Sequence, residues 1–262
     1  MRDVDQALAR AYARRDRNPA EPRLSVPPPP HFTVEPPPAP TELAELDPIA
    51  AVASVRLEWP ATVRTLERGH SGRFVALADA LIEARDRRRL KMLLFTSCHR
   101  AEGRTTLVLT LARALARRPG RTLLVDADLT GPMLARQLGL RPRVGLDDVV
   151  EGGLALAEAL VEAPDDNLAI LPLRAAVARP REFLASPAWS CAMARVRRDF
   201  DLILLDGSPM FTGLSASVLH RSVDAAILVH HRALTGERAL LRACEVLEAG
   251  GVPLLGLAET FV

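Results

Sequence analysis

Ser97-Cys98-His99-Arg100-Ala101-Glu102-Gly103-Arg104-Thr105-Thr106 joins an apolar run, Leu90 to Ser97, to a helical stretch, Thr105 to Arg118. A strand, a short loop and a helix in that order can turn backbone N–H groups inward on a phosphate. Such a loop also needs a cation, and a hydroxyl for Mg²⁺. Gly103 and Thr105 fit the strict phosphate-loop pattern G-x-x-x-x-G-K-[ST], whereas Cys98 stands at its first glycine and Arg104 at its lysine. Alone, this loop is a weak signal. Its reading depends on what lies around it.

Working outward, the run Arg121 to Asp126 reads as a second strand, and Leu123-Leu124-Val125-Asp126-Ala127-Asp128-Leu129 puts two acids at its carboxyl end. Asp201 to Asp206 reads as a third and delivers another acid before Gly207-Ser208-Pro209. Carboxylates at such strand ends can hold hydrated Mg²⁺ and orient a nucleophile, although each acid taken singly could be a helix cap. Further strands fit Asn167–Leu173, Ala225–His230 and Val252–Leu257. Helices fit Phe74–Arg89, Pro180–Arg198 and Thr235–Ala249. Continuous apolar strands alternating with helices predict an α/β fold, a doubly wound, mostly parallel sheet of the P-loop NTPase type, over residues 72–262. In such sheets ligands sit at the carboxyl ends of the strands. Residues 49–71 read as a linker or irregular lead-in. Residues 19–48 hold 11 of the 21 prolines, so 1–48 is expected as a disordered, proline-rich arm.

Composition removes other classes. A net charge of +2 excludes a strongly basic nucleic-acid grip, and no specific nucleic acid is expected as partner. No apolar run is long enough for a membrane span and the N-terminus lacks a signal peptide's apolar core, so a cytoplasmic protein is expected. Cys98, Cys191 and Cys244 form neither a disulfide framework nor a zinc pattern. Cys98 reads as core filler more readily than as a redox group. His230 and His231 are adjacent on a strand, point to opposite faces, and do not easily share an ion. The basic run Arg85, Arg87, Arg88, Arg89 and Lys91 reads as a solvated helix end, with anionic lipid or nucleic acid as the sharper alternative. The chain has 33 arginines and one lysine, Lys91. Arginine can therefore stand where another protein carries lysine.

Four segments together resemble the cytoplasmic domain of bacterial tyrosine kinases of capsule and exopolysaccharide synthesis, within the deviant-Walker ATPase class that includes partitioning and septum-placement ATPases. Ser97–Thr106 resembles their S-S-x-P-G-E-G-K-S-T loop and Leu123–Pro132 their L-I-D-A-D-L-R-x-P motif. Phe200–Pro209 resembles Y-D-x-V-I-I-D-T-P-P, and Pro180–Ser186 resembles P-x-E-L-L-x-S. The resemblance implies ATP and Mg²⁺ as cofactors. It implies that Ala101, Glu102 and Gly103 cradle phosphates through their amides, that Arg104 takes the lysine site, and that Thr106 serves the α-phosphate. Thr105, Asp126 and Asp206 would serve the metal, with Arg104, Asp126 and Asp128 as the catalytic group and Asp126 as base or water-orienting acid. It implies a membrane chain-length regulator or co-polymerase as partner, recruitment to the inner membrane face, and self-association. Val75 and Ala78 occupy the arginine positions of the family's E-x2-R-x2-R oligomerisation motif, which weakens the case for ring assembly. His99 stands where partitioning relatives carry a second lysine. The family's tyrosine-rich tail has no counterpart; the one tyrosine is Tyr12. Three readings follow: an ATP-binding tyrosine-kinase-like component, an inactive pseudo-kinase scaffold for a membrane co-polymerase, and a partitioning-type dimerising ATPase.

Overall fold

A computed structural model describes residues 48–212 and 222–260. The proline-rich arm, all but Pro48, lies outside the described residues, and so does Tyr12. Strands β1 (Ala53–Ser54), β2 (Met92–Ser97), β3 (Thr122–Ala127), β4 (Val161–Ala163), β5 (Leu168–Leu171), β6 (Leu202–Gly207), β7 (Ala225–His231) and β8 (Leu254–Thr260) form one sheet. Their order is β1-β4-β5-β3-β6-β2-β7-β8, and among these pairs only β4–β5 is antiparallel. The mostly parallel, doubly wound sheet expected from the sequence is present.

The apolar runs split between two cores because successive strand residues face opposite ways. Met92 and Leu94 of β2 join one core with Trp189, Met193 and Val196 of α7 (Pro187–Asp199) and Leu247 of α8 (Glu237–Ala249). Leu93 and Phe95 join the other, with Leu81 of α1 (Ala61–Arg88) and Val108 and Leu111 of α2 (Arg104–Leu115). Helices thus cover both faces, which is why β2, β3 and β6 are buried along their whole length. The four short helices α3 (Leu134–Gln137), α4 (Leu146–Gly152), α5 (Leu156–Ala159) and α6 (Pro180–Ala185) fill the connections. No helix among the described residues is long and apolar enough to cross a membrane.

Two local expectations differ from the structure. The stretch expected as one helix over Pro180–Arg198 is two, α6 and α7. Pro187 cannot donate a backbone hydrogen bond and holds Ser186 extended (φ −70°, ψ 147°). Ser186 Oγ then caps the new helix by accepting from Trp189 N at 3.1 Å. The stretch 49–71, expected as an irregular lead-in, supplies strand β1 and the first third of α1, which bends at His70 instead of starting at Phe74. Tertiary contacts override its weak local pattern. Trp59 is buried, its Nε1 donates to Asp166 Oδ1 at 2.9 Å, and the Arg113 guanidinium lies 4.7 Å from its ring centre. Glu67 of α1 pairs with Arg113 and Arg117 at the α1–α2 contact.

Trp59 is therefore a keystone of the second core. Trp59→Ala should lower the unfolding free energy by about 3–5 kcal/mol, the usual cost of deleting a buried aromatic. Urea denaturation checks this; a loss within experimental error would return 49–71 to the status of a tether.

Candidate functional site

The sheet order places β6 between β2 and β3, so three strand ends converge beneath the loop that follows β2. In the β3–β6 register Asp126 lies opposite Asp206. The loop itself turns twice through the left-handed region, at Ala101 (φ 63°) and Gly103 (φ 79°), before α2 begins at Arg104. Glycine takes such a backbone freely and alanine at a cost of roughly 1 kcal/mol. Ala101 occupies it all the same, so the surroundings hold the loop in shape.

Glu102 is what holds it. Its carboxylate is buried and accepts from His99 N at 2.7 Å, from His231 N at 3.2 Å and from the Thr235 hydroxyl. Its carbonyl accepts from Thr260 Oγ1 at 2.8 Å. The loop is thereby tied to the ends of β7 and β8. Local sequence could not reveal this, because three of those partners lie more than 125 positions away in the chain. The resemblance implies a role for the Glu102 amide alone; its side chain serves the loop's shape.

Arg104 is buried, and each of its guanidinium nitrogens is engaged. Nε donates to Asp206 Oδ1 at 3.0 Å, Nη1 to Ser97 Oγ at 2.9 Å and Nη2 to Asp128 Oδ2 at 2.9 Å. Asp206 Oδ2 accepts from Thr105 Oγ1 at 2.7 Å. Asp128 also accepts from Thr130 and Ser208, both at 3.0 Å, and from the half-exposed Arg100 at 3.3 Å. The sequence-predicted residues Arg104, Thr105, Asp128 and Asp206 thus form one connected network, with Asp126 beside it. Ser97, Arg100 and Ser208 belong to it as well. Only their nearness to the quoted motifs hinted at them. Thr106 sits on the first turn of α2, and its carbonyl accepts from Thr110 Oγ1.

Three carboxylates here face two guanidiniums, and Asp126 is the acid without one. Among the described residues it accepts only from backbone N–H groups, Leu134 at 2.9 Å and Asp128 at 3.2 Å. Burial first, and the Asp206 charge second, push its carboxyl up to about 8. Burial also pushes Asp206 up, against the pull of Arg104 and Thr105. Asp126 caps the turn into α3 and at the same time carries an acid–base group near neutral pH.

A hydroxyl and hard carboxylate oxygens at a helix N-terminus suit Mg²⁺. Among the described residues no group of three or more His, Cys, Asp or Glu side chains could hold a metal by itself. An ion here would depend on ligand oxygens and water. Thr105 donates to Asp206, and Asp126 lies opposite Asp206 in the register, so the oxygen donors that Mg²⁺ takes are gathered at this helix start. Cys98 is buried, and burial together with Glu102 raises its thiol to about 12, so it packs as apolar filler. His231 N is spent on Glu102 and its Nδ1 accepts from Ala233 N.

No protein-family model matches the chain. It is 28% identical over 170 residues to the tyrosine-protein kinase CpsD of Streptococcus pneumoniae, covering 64% of this chain and 75% of that protein. Among solved structures it is similar to the kinase domain of VpsO (26% identity, TM-score 0.64), covering 73% of this chain and 97% of that one. It is also similar to the septum site-determining protein MinD of Pyrococcus horikoshii, solved with Mg-ADP (26% identity, TM-score 0.54), over 64% of this chain and 68% of that one. Its homologues are bacterial tyrosine-protein kinases, and its fold is that of P-loop NTPases.

The charge imbalance at Asp126 has a measurable sign. A carboxyl raised in the fold binds its proton there more tightly than in the unfolded chain. Its contribution to stability is therefore full below 3.8 and is lost as the pH rises towards about 8. The melting temperature of the nucleotide-free protein should fall across that window. Asp126→Asn should flatten the fall, although Asp206, shifted the same way, keeps part of it. A variant that melts lower by the same amount at every pH would show that Asp126 does not titrate there.

Proposed function

Starting from a chain whose homologues are bacterial tyrosine-protein kinases, we propose that it is an ATP- and Mg²⁺-binding, kinase-like component of capsule or exopolysaccharide production. We propose that it works on the cytoplasmic face beside a membrane chain-length regulator or co-polymerase, and in association with further copies of itself. The single observation that carries the reading is the network of Arg104, Thr105, Asp128 and Asp206 at the converging ends of β2, β3 and β6. It collects a cation, a hydroxyl and carboxylates beneath a loop that opens a helix, which is what phosphoryl binding demands.

In this reading the amides of Ala101, Glu102 and Gly103 receive phosphate oxygens, and Thr106 adds a hydroxyl at the α-phosphate. Mg²⁺, when bound, would neutralise charge on the phosphates, with Thr105, Asp126 and Asp206 as the protein's contribution. Asp126, with its carboxyl raised to about 8, is matched to accept a proton from a hydroxyl near neutral pH. Asp128 holds Arg104 and Arg100 in place. Arg104 has to leave at least one carboxylate before it can serve a phosphate, so its pairing with Asp128 and Asp206 opposes binding.

That opposition favours a second reading, a scaffold that docks a partner and handles nucleotide weakly. Its specific support is that every guanidinium nitrogen of Arg104 is already engaged. A planar guanidinium fits two flanking carboxylates better than a compact ammonium does. Arg104→Lys should therefore release the site.

Titration calorimetry with ATP separates the two. Binding should require Mg²⁺, and Arg104→Lys should bind about tenfold more tightly, the equivalent of one net hydrogen bond to a charged group. Absence of binding in both proteins would leave the scaffold. Turnover of Arg104→Lys should exceed that of the wild type. After incubation with ATP and Mg²⁺, mass spectrometry should find no phosphotyrosine on the chain; its only acceptor is Tyr12. A phosphate on Tyr12 that vanishes in Asp126→Asn would instead establish a working kinase.

A further inference from the structure

The opposite edge of the sheet carries a second charged hollow. Lys91 precedes β2 and Asp201 precedes β6, at the amino ends of strands whose carboxyl ends bear the site above. At ~3.3 Å per residue, β2 alone separates the two by about 20 Å. A cavity of about 560 Å³ opens here, lined by Arg85, Asp86, Arg89, Lys91, Arg197 and Asp201 among others. Four cations against two acids is an imbalance that the phosphate-loop network does not use.

Part of it has a structural explanation. Basic residues in the last turn of a helix complement its dipole, and this accounts for Arg85 and Arg88 at the end of α1. Arg85 also pairs with Asp86 at 2.7 Å, and Arg197 is held by Asp224 through a fork at 2.9 Å. Asp201 accepts from Arg121 N at 2.8 Å. Arg89 and Lys91 are different. Arg89 lies past the end of α1 in the left-handed region (φ 57°), a backbone that costs a non-glycine residue energy. Among the described residues its side chain has no hydrogen-bond or ion-pair partner. Among the described residues Lys91 Nζ donates once, to the Arg197 carbonyl at 3.1 Å, which leaves two hydrogens to spare. It is also the only lysine in a chain with 33 arginines, and it stands in this hollow.

We propose that this hollow binds a phosphate ester carrying at least two negative charges, with Arg89 and Lys91 as the cations that meet it. A guanidinium fork and a compact ammonium lining one hollow suit tetrahedral phosphate. The volume exceeds that of a bare phosphate and lies within the range of small-ligand sites. Such an ester comes from a soluble metabolite or from a phospholipid headgroup. The proposal is independent of the nucleotide reading.

The test uses the full chain with Mg²⁺ chelated and compares wild type with Arg89→Gly, Lys91→Met and the double variant. Glycine keeps the left-handed cap and methionine keeps the stem, so melting should be unchanged. If the double variant melts early, Arg89→Gly alone carries the comparison. Calorimetry with pyrophosphate should show binding to the wild type that is about tenfold weaker in the double variant. Cosedimentation with vesicles of phosphatidic acid, a phosphomonoester that can carry two charges, in phosphatidylcholine identifies the source. Vesicle binding lost in the double variant supports a headgroup, and pyrophosphate binding alone supports a soluble ester. An unchanged isotherm in the double variant, or a wild type that binds neither probe, overturns the proposal.

Discussion

The pairing of one buried guanidinium with two buried carboxylates, Arg104 with Asp128 and Asp206, is the constraint around which the carboxyl edge of the sheet is organised. Parallel pairing of β3 with β6 sets Asp126 and Asp206 side by side, where water cannot screen them. Such a cluster tolerates burial only if its charge is met. Arg104 meets most of it, Arg100 adds a share from the surface, and Asp126 takes up the remainder by holding its proton. Buried ion pairs add little net stability, yet removing one partner costs roughly 3–5 kcal/mol because the other is left uncompensated. Arg104 therefore belongs to the architecture of the sheet. A lysine there would leave the acids less well matched.

The loop above that network depends on a second buried acid. Glu102 fixes the loop to β7 and β8 through His231, Thr235 and Thr260. This explains how Ala101 can sit where glycine would be easier. It also means that the loop's shape depends on the β8 edge of the sheet. The β7–β8 edge and the loop are joined through that one residue. The coupling is one side chain long.

The two edges of the sheet have opposite character. At the carboxyl edge acids outnumber the bases that meet them, which suits a cation-accompanied ligand. At the amino edge the bases outnumber the acids, and Arg89 and Lys91 are left with donors unspent. A parallel sheet makes this division possible, because every strand enters at one edge and leaves at the other. Motifs placed before strands and motifs placed after them therefore gather at separate surfaces.

The sequence by itself determined the alternation of apolar strands and helices, and hence the parallel sheet and the edge that bears the site. It also identified Arg104, Thr105, Asp128 and Asp206 as companions, because each stands at a fixed offset from a strand end. It marked the helix boundaries less well. Pro187 divides a stretch that reads as one helix, and 49–71 carries no periodic signal although Trp59 anchors it. Only the tertiary structure decided how the charges pair. The same residues could have left Arg104 free for a phosphate, or Asp126 ionised. Which carboxylate receives a guanidinium depends on strand order and register, through distances between residues 24 and 102 positions apart. Local pattern does not reach that far, and among buried groups those distances set which of them carries a charge.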